Sequence, residues 1–291
     1  VSQKSQYTVL ADYLEQHNGE TNLSFRREYA KQAFAVSSHY DTLIHRYFSM
    51  ATPYETFKES YLNADVLRYG ENPHQQGFYF GDITEVFDIL NGKQLSYNNL
   101  VDIDAAIHLM NEFSEPTFAV LKHTNACGVA TKSTVLEAWK AALAADAISA
   151  FGGVLITNVT IDEATAAEID KLFFEVLIAP NFDKNALQLL MKKKNRILLK
   201  QKLFSFPNKQ FKSLLNGVIV QEFDKKIEQQ NELKCVTKRI PTATQMDDLL
   251  FANKIAKHLK SNTIVLVKDK QLLAMGCGQT SRVDALKQAI H

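Results

Sequence analysis

"FAVLKHTNACGVATKSTVLEAWKAALAADAISAFGGVLIT", residues 118–157, switches twice between hydrophobic patterns, and the order of those switches decides the fold. "FAVL" (118–121) is short and wholly apolar, as a strand buried on both faces must be. The chain then turns through Asn125 and Gly128. Thr134 and Glu137 stand at capping-box spacing ahead of Val135, Leu136, Ala138, Trp139 and Leu143, the apolar face of a helix. "GVLIT" (153–157) is a second apolar strand. Strand, helix and strand in succession predict an α/β protein, a layered sheet with helices on both faces.

The same alternation extends outward. "VDIDAAIHLMNEF" (101–113) reads as a helix, and "VLIAP" (176–180) and "RILL" (196–199) as further buried strands. Thr160 and Glu163 repeat the capping-box spacing. A second unit is expected from residue 201, where Thr242 and Gln245 form a third such box. Leu249, Leu250, Ile255, Ala256 and Leu259 line one face of its helix. "NTIVLVKD" and "QLLAMG" follow as strands joined by a polar turn at 268–270. Residues 1–60, including "SFRREYAKQAFAVSSHYDTLIHRYF", carry helical periodicity and are read as a helical connector, leaving 61–200 as the first unit and 201–291 as the second. A chain that begins on valine and stops inside the helical pattern "SRVDALKQAIH" is expected to be an internal piece of a longer polypeptide.

Composition narrows the function. The 33 basic residues nearly balance 32 acidic ones, for a charge of +1, which argues against a general nucleic-acid binder. No apolar run approaches the roughly 18 residues of a membrane span. Cys127, Cys235 and Cys277 are far apart with no C-x-x-C spacing, so reduced thiols and a cytoplasmic location are expected. Zinc is not expected, because His123 and Cys127 stand four apart without a second cysteine pair. Residues 184–221 hold nine lysines and arginines and no acid, the pattern of a solvated face.

Candidate chemistry concentrates where "FAVL" ends, at Lys122 and His123. Ligands collect beyond the carboxyl ends of strands in open α/β sheets. A histidine there exchanges protons near neutrality, and a lysine beside it supplies fixed charge for a developing anion. Neighbours in an extended strand face opposite ways, so both reach one pocket only if the chain has begun to turn. "LRYGENPHQQ" (67–76) is a polar loop rich in groups that grip anions. "AISAFGGV" and "GCGQTSRVD" are small-residue turns, with Thr280 or Ser281 placed to cap the helix that follows.

Taken in order and spacing, "LRYGENPHQ", "LNGKQLSYNNLVDIDAA", "KHTNACGVA", "DAISAFGGV", "EVLIAP" and "KSNTIVLVKD…GCGQTSRVDA" resemble one family over roughly residues 22–291. It is the 5-aminoimidazole-4-carboxamide ribonucleotide (AICAR) transformylase part of the bifunctional purine-biosynthesis enzyme, whose other half is inosine monophosphate (IMP) cyclohydrolase. The resemblance implies a fold like cytidine deaminase in two units, the second incomplete here. It implies formyl transfer from 10-formyltetrahydrofolate to the 5-amino group of AICAR, at sites shared across a homodimer. A monovalent cation is a further candidate cofactor. His123 matches the family's base, Lys122 its transition-state stabiliser, and Asn262 a residue that contacts the reacting groups. Arg68, Tyr69, Asn99, Gly152, Glu175 and Arg282 match nucleotide-binding positions, and Val283 lies near the folate. Asn72 and His74 are expected to shape the loop.

Three departures qualify this. Ala126 stands where bacterial relatives usually have proline, and both the upstream cyclohydrolase domain and the family's C-terminal third are absent. Activity is therefore expected of the longer polypeptide rather than of this piece. The rival reading, a zinc deaminase, needs H-x-E with P-C-x-x-C, which "KHTNACG" does not supply.

Overall fold

In the computed structural model, residues 1–49 and 55–290 are described. The chain divides into two compact units, Val1–Val66 with Phe78–Asp82, and Leu67–Gly77 with Ile83–His291. The first holds helices α1 (Gln6–Gln16) and α2 (Leu23–Phe48) and an antiparallel ribbon of β1 (Ala64–Val66) and β2 (Phe78–Phe80). Asn22 starts α2 by accepting the Phe25 amide at 2.8 Å, and Tyr13 stacks on Phe25 at 3.9 Å. The expected helical connector is helical through Phe48. Residues 50–54 of it, like His291 of the second expected unit, lie outside the described residues, and 55–60 carry no regular structure.

The second unit runs β3 (Phe87–Asn91), α3 (Tyr97–Met110), β4 (Thr117–Lys122), β5 (Asn125–Thr131), α4 (Val135–Ala145), β6 (Val154–Thr157), α5 (Glu163–Ile169), β7 (Val176–Ala179), α6 (Lys184–Leu190) and β8 (Ile197–Gln201). It continues through the hairpin β9 (Lys209–Leu214) and β10 (Gly217–Glu222) to α7 (Ala243–Lys257), β11 (Ile264–Lys268), β12 (Gln271–Gly276) and α8 (Arg282–Ile290). Eight strands form one mixed sheet in the order β11-β12-β5-β4-β6-β7-β8-β3. Among the described residues, the neighbouring strands of this sheet that pair parallel are β6 with β7 and β7 with β8.

Period-two alternation sends Ala119, Leu121, Val154, Ile156, Val176 and Ile178 to the face covered by α3 and α7. Phe118, Val120, Leu155 and Leu177 go to the other face, under α4, α5 and α6. The expected α/β layering holds, with both faces of the central strands buried.

Two capping boxes fall where the spacing put them, at Thr134 with Glu137 and at Thr242 with Gln245. The third does not. Asp162, not Thr160, caps α5, accepting the Thr165 amide at 2.7 Å. An aspartate directly before the helix outcompetes a threonine two residues upstream, because only the residue flanking the first turn reaches its free amides. Asp162→Ala is expected to cost about 1 kcal/mol in urea unfolding, against less than about 0.5 for Thr160→Ala. The register of α7 also differs. Phe251 and Ile255 are buried against the sheet, while Leu249 is 54% exposed.

The basic run 184–221 is not uniformly solvated. Arg196, 3% exposed, donates to the Asp170 carboxylate and to the carbonyls of Asp170 and Leu172, and stacks on Phe174 at 4.5 Å. Burial raises the Asp170 pKa, but the hydrogen bond and charge of Arg196, with Lys193, more than offset it and leave the carboxyl below its usual range. A depressed carboxylate contributes stability above its unfolded pKa of about 3.9 and loses it as the pH falls through the lower folded value. Arg196→Met is expected to cost about 2 kcal/mol at pH 7, less than for a fully buried pair because Asp170 is partly solvated. The difference from wild type in urea midpoint should hold from pH 8 to 5 and narrow below pH 4.

Candidate active site

Strand directions gather the candidate residues along one end of the sheet. β4 and β12 finish there, and β5, β6, β7, β8 and β11 begin there. Across this rim stand Asn262 before β11, Cys277 after β12, Asn125 opening β5, Lys122 and His123 closing β4, Gly152 before β6 and Glu175 before β7. The carboxyl-end expectation suits Lys122 and His123. Gly152 and Glu175 instead precede parallel strands, because the sheet is mixed.

The β4–β5 connection is tighter than the sequence suggested. Lys122 pairs with Asn125, leaving a two-residue turn of His123 and Thr124, with φ of +51° and +65°. Two positive φ values are the mark of a type I′ hairpin turn. Strand geometry is lost at His123, so Lys122 and His123 line the same cavity of about 810 Å³. His123 is exposed, and Lys122 donates its Nζ to the Phe151 carbonyl at 2.9 Å, next to the Gly152 turn. Residues 272–275 line the cavity opposite Asn125 and Cys127, where α4 ends at Ala145 and α8 at Ile290. β12 is registered to β5 at Gln271 and Ala130, toward the end of the sheet away from the rim.

Other groups in the cavity are poor proton acceptors near neutrality. Burial, and then the Asp146 charge, push the Cys127 thiol up to about 11. Burial raises Asp146, but hydrogen bonds from Ser149 and Ile148 and the Lys122 charge outweigh it and hold its carboxyl low. Cys277 is raised by burial.

Asn262 is clipped to the loop after β12. Its backbone N–H donates to the Gln279 carbonyl at 3.0 Å, and its side-chain amide to the carbonyls of Gln279 and Thr280 at 3.2 and 3.3 Å. Cys277 on this loop lies 3.5 Å from the Asn125 Oδ1, joining it to the β4–β5 hairpin. Donation by Asn262 to a substrate oxygen requires release of one of these carbonyls. Ser281, one of the two expected caps, accepts the Asp284 amide at 3.1 Å; Arg282 and Val283 open α8 on its exposed side.

Gly152 has φ +73°, and its amide donates to the Phe173 carbonyl at 2.8 Å. Glu175 forms an ion pair with Lys93 at 2.7 Å. Lys93 lies inside the motif "LNGKQLSY", but sequence reasoning gave it no role, and only the β3–β8 pairing brings it to Glu175. Asn99 is buried and occupied, its Oδ1 accepting the Ser96 amide in the capping box that starts α3. The loop Leu67–Gly77 is pinned to the same helix start, where the Tyr97 amide meets the Tyr69 carbonyl and Asn98 donates to that of Glu71. Arg68 is exposed, its guanidinium 5.2 Å from the Tyr69 ring centre. Asn72 shapes this loop through Gln75, as expected. Among the described residues, no helix is long and apolar enough to cross a membrane, and no three His, Cys, Asp or Glu gather as a metal site.

The chain is similar to proteins with curated descriptions. It is 57% identical over 291 residues to the bifunctional purine biosynthesis protein PurH of Bacteroides thetaiotaomicron, covering 100% of this chain and 57% of that protein. The PurH proteins of Chlorobium phaeobacteroides and Gloeothece citriformis are each 42% identical, over 99% and 98% of this chain and 58% of their own lengths. The chain thus spans somewhat over half the length of these relatives. A family profile described as AICARFT/IMPCHase bienzyme matches residues 1–291, and the chain belongs to that family.

Proposed function

We propose that this chain carries the formyl-transfer centre of a longer bifunctional polypeptide, which moves a formyl group from 10-formyltetrahydrofolate to the 5-amino group of AICAR. The observation that carries the reading is the hairpin turn that delivers Lys122 and His123 to one cavity in a chain of this family. The amine is conjugated with a carboxamide-bearing imidazole and is a weak nucleophile. As its nitrogen bonds to the formyl carbon, His123 accepts one of its protons. The carbon–N10 bond then breaks, a proton goes to N10, and formyl-AICAR and tetrahydrofolate leave. The Lys122 cation, anchored near Gly152, offsets charge developing on the formyl oxygen. Asn262 adds an amide at the same rim.

Arg68 and Arg282 are the exposed cations suited to a phosphate, which a guanidinium meets with two donors. Tyr69, Asn99, Gly152 and Glu175 complete the nucleotide side, with Val283 toward the folate. A homodimer with shared sites, a cytoplasmic location, a monovalent cation and IMP cyclohydrolase activity elsewhere in the polypeptide belong to the same proposal. Incubating the full-length polypeptide with AICAR and 10-formyltetrahydrofolate should release tetrahydrofolate in an amount equal to the formyl-AICAR and IMP formed together, with saturation in both substrates. No AICAR-dependent release of tetrahydrofolate overturns the reading.

A further inference from the structure

The turn at His123 and Thr124 is built from the wrong residues. Type I′ turns favour Asn-Gly because both central residues need positive φ, and a β-branched threonine at +65° is disfavoured. An outside contact compensates. Asp102, on the second turn of α3, accepts the Thr124 amide on its Oδ1 at 2.7 Å. Burial raises the pKa of this carboxyl, and the Thr124 amide, the His123 charge and the His123 amide oppose the rise. Its support is rigid, since the Ser96–Asn99 capping box fixes the start of α3 and Ile103, Ala106 and Ile107 bury the helix on the sheet.

We propose that Asp102 is a positioning residue, whose carboxylate holds the turn at His123 and Thr124 in its left-handed form and so fixes where the imidazole stands. The inference rests on the formyl-transfer reading and adds a residue that touches neither substrate. It also gives the segment "NNLVDIDAA" a purpose: the helix start that seats the Arg68 loop carries, one turn later, the acceptor for the base-bearing hairpin. Both halves of the nucleotide site are thereby referred to one helix.

The test uses the full-length polypeptide and steady-state formyl transfer. Asp102→Ala should lower kcat by about 10²-fold, the order expected when a catalytic group is misplaced by about 1 Å, with KM for AICAR changed less than about threefold. Adding Thr124→Gly to Asp102→Ala should recover most of the loss, because glycine adopts positive φ without an anchor. Asp102→Asn, whose Oδ1 accepts the same amide, should stay within about tenfold of wild type, and it decides the matter if Asp102→Ala does not fold. The proposal is overturned by unchanged kcat in Asp102→Ala, by no recovery in the double variant, or by an Asp102→Asn loss as deep as that of alanine. His123→Ala run alongside separates the two readings. If it too leaves turnover unchanged, the base assignment itself has failed; if it alone is inactive, only the role of Asp102 is lost.

Discussion

Replacing His123 by alanine in the full-length polypeptide is expected to lower kcat for formyl transfer by about 10²- to 10⁴-fold while AICAR still binds with affinity near that of wild type. The cavity offers no substitute base. The Cys127 thiol, at about 11, is protonated at neutral pH, and the Asp146 carboxyl, held low, is too weak a base to draw a proton from an amine. Lys122 is committed as a donor to the Phe151 carbonyl. Nucleotide affinity should survive because His123 projects from a turn, while the candidate phosphate contacts, Arg68 and Arg282, belong to other segments. Steady-state kinetics gives the first quantity and calorimetric titration with AICAR the second. Unchanged turnover removes the base assignment, and parallel loss of binding reassigns His123 to substrate recognition.

Gly128→Ala should be among the most damaging single-methyl additions in the second unit. Gly128 lies in β5 directly beneath α4, and a Cβ built there would stand 2.1 Å from the Ala142 carbonyl oxygen. That oxygen is backbone, so relief requires the helix itself to move. The close seat of α4 rests on small residues, Ala138 and Ala142, facing the strand. Forced overpacking of this kind costs about 3 kcal/mol or more, which for a domain of this size lowers the melting temperature by roughly 6–10 °C. The effect should reach the chemistry as well, because the end of α4 carries Ala145 and Asp146 into the cavity. Thermal unfolding within about 1 °C of wild type would mean that α4 is not held where the structure puts it.

The layered fold was legible because buried strands and capped helices announce themselves locally. "FAVL", "GVLIT", "VLIAP" and "RILL" all became strands of one sheet, and two of three capping boxes stood as read. Thr160 misleads because capping-box spacing alone does not say which residue flanks the first turn, and here that residue is Asp162. The β9–β10 hairpin was not foreseen, since its strands are almost entirely exposed and give no burial pattern to read. Within the candidate site, Lys122 and His123 stood out from their place at a strand end. Asp102 and Lys93 did not, because their partners lie 22 and 82 residues away and only strand order and helix placement make them neighbours. Asn99 shows the converse, a residue picked out by resemblance whose side chain also has a local duty in the helix cap.

The attachment of β12 to β5 has a mechanical consequence. Registration at Gln271 and Ala130 fastens the strands far from the rim, and near it the Cys277 thiol meets the Asn125 amide oxygen. From Gln271 to Gly276 the lever is roughly 17 Å at about 3.3 Å per residue, so each degree of swing shifts its tip by roughly 0.3 Å. A rotation of about ten degrees would widen the cleft by about the width of a water molecule, turning the far fastening into a pivot and the sulfur contact into a weak latch.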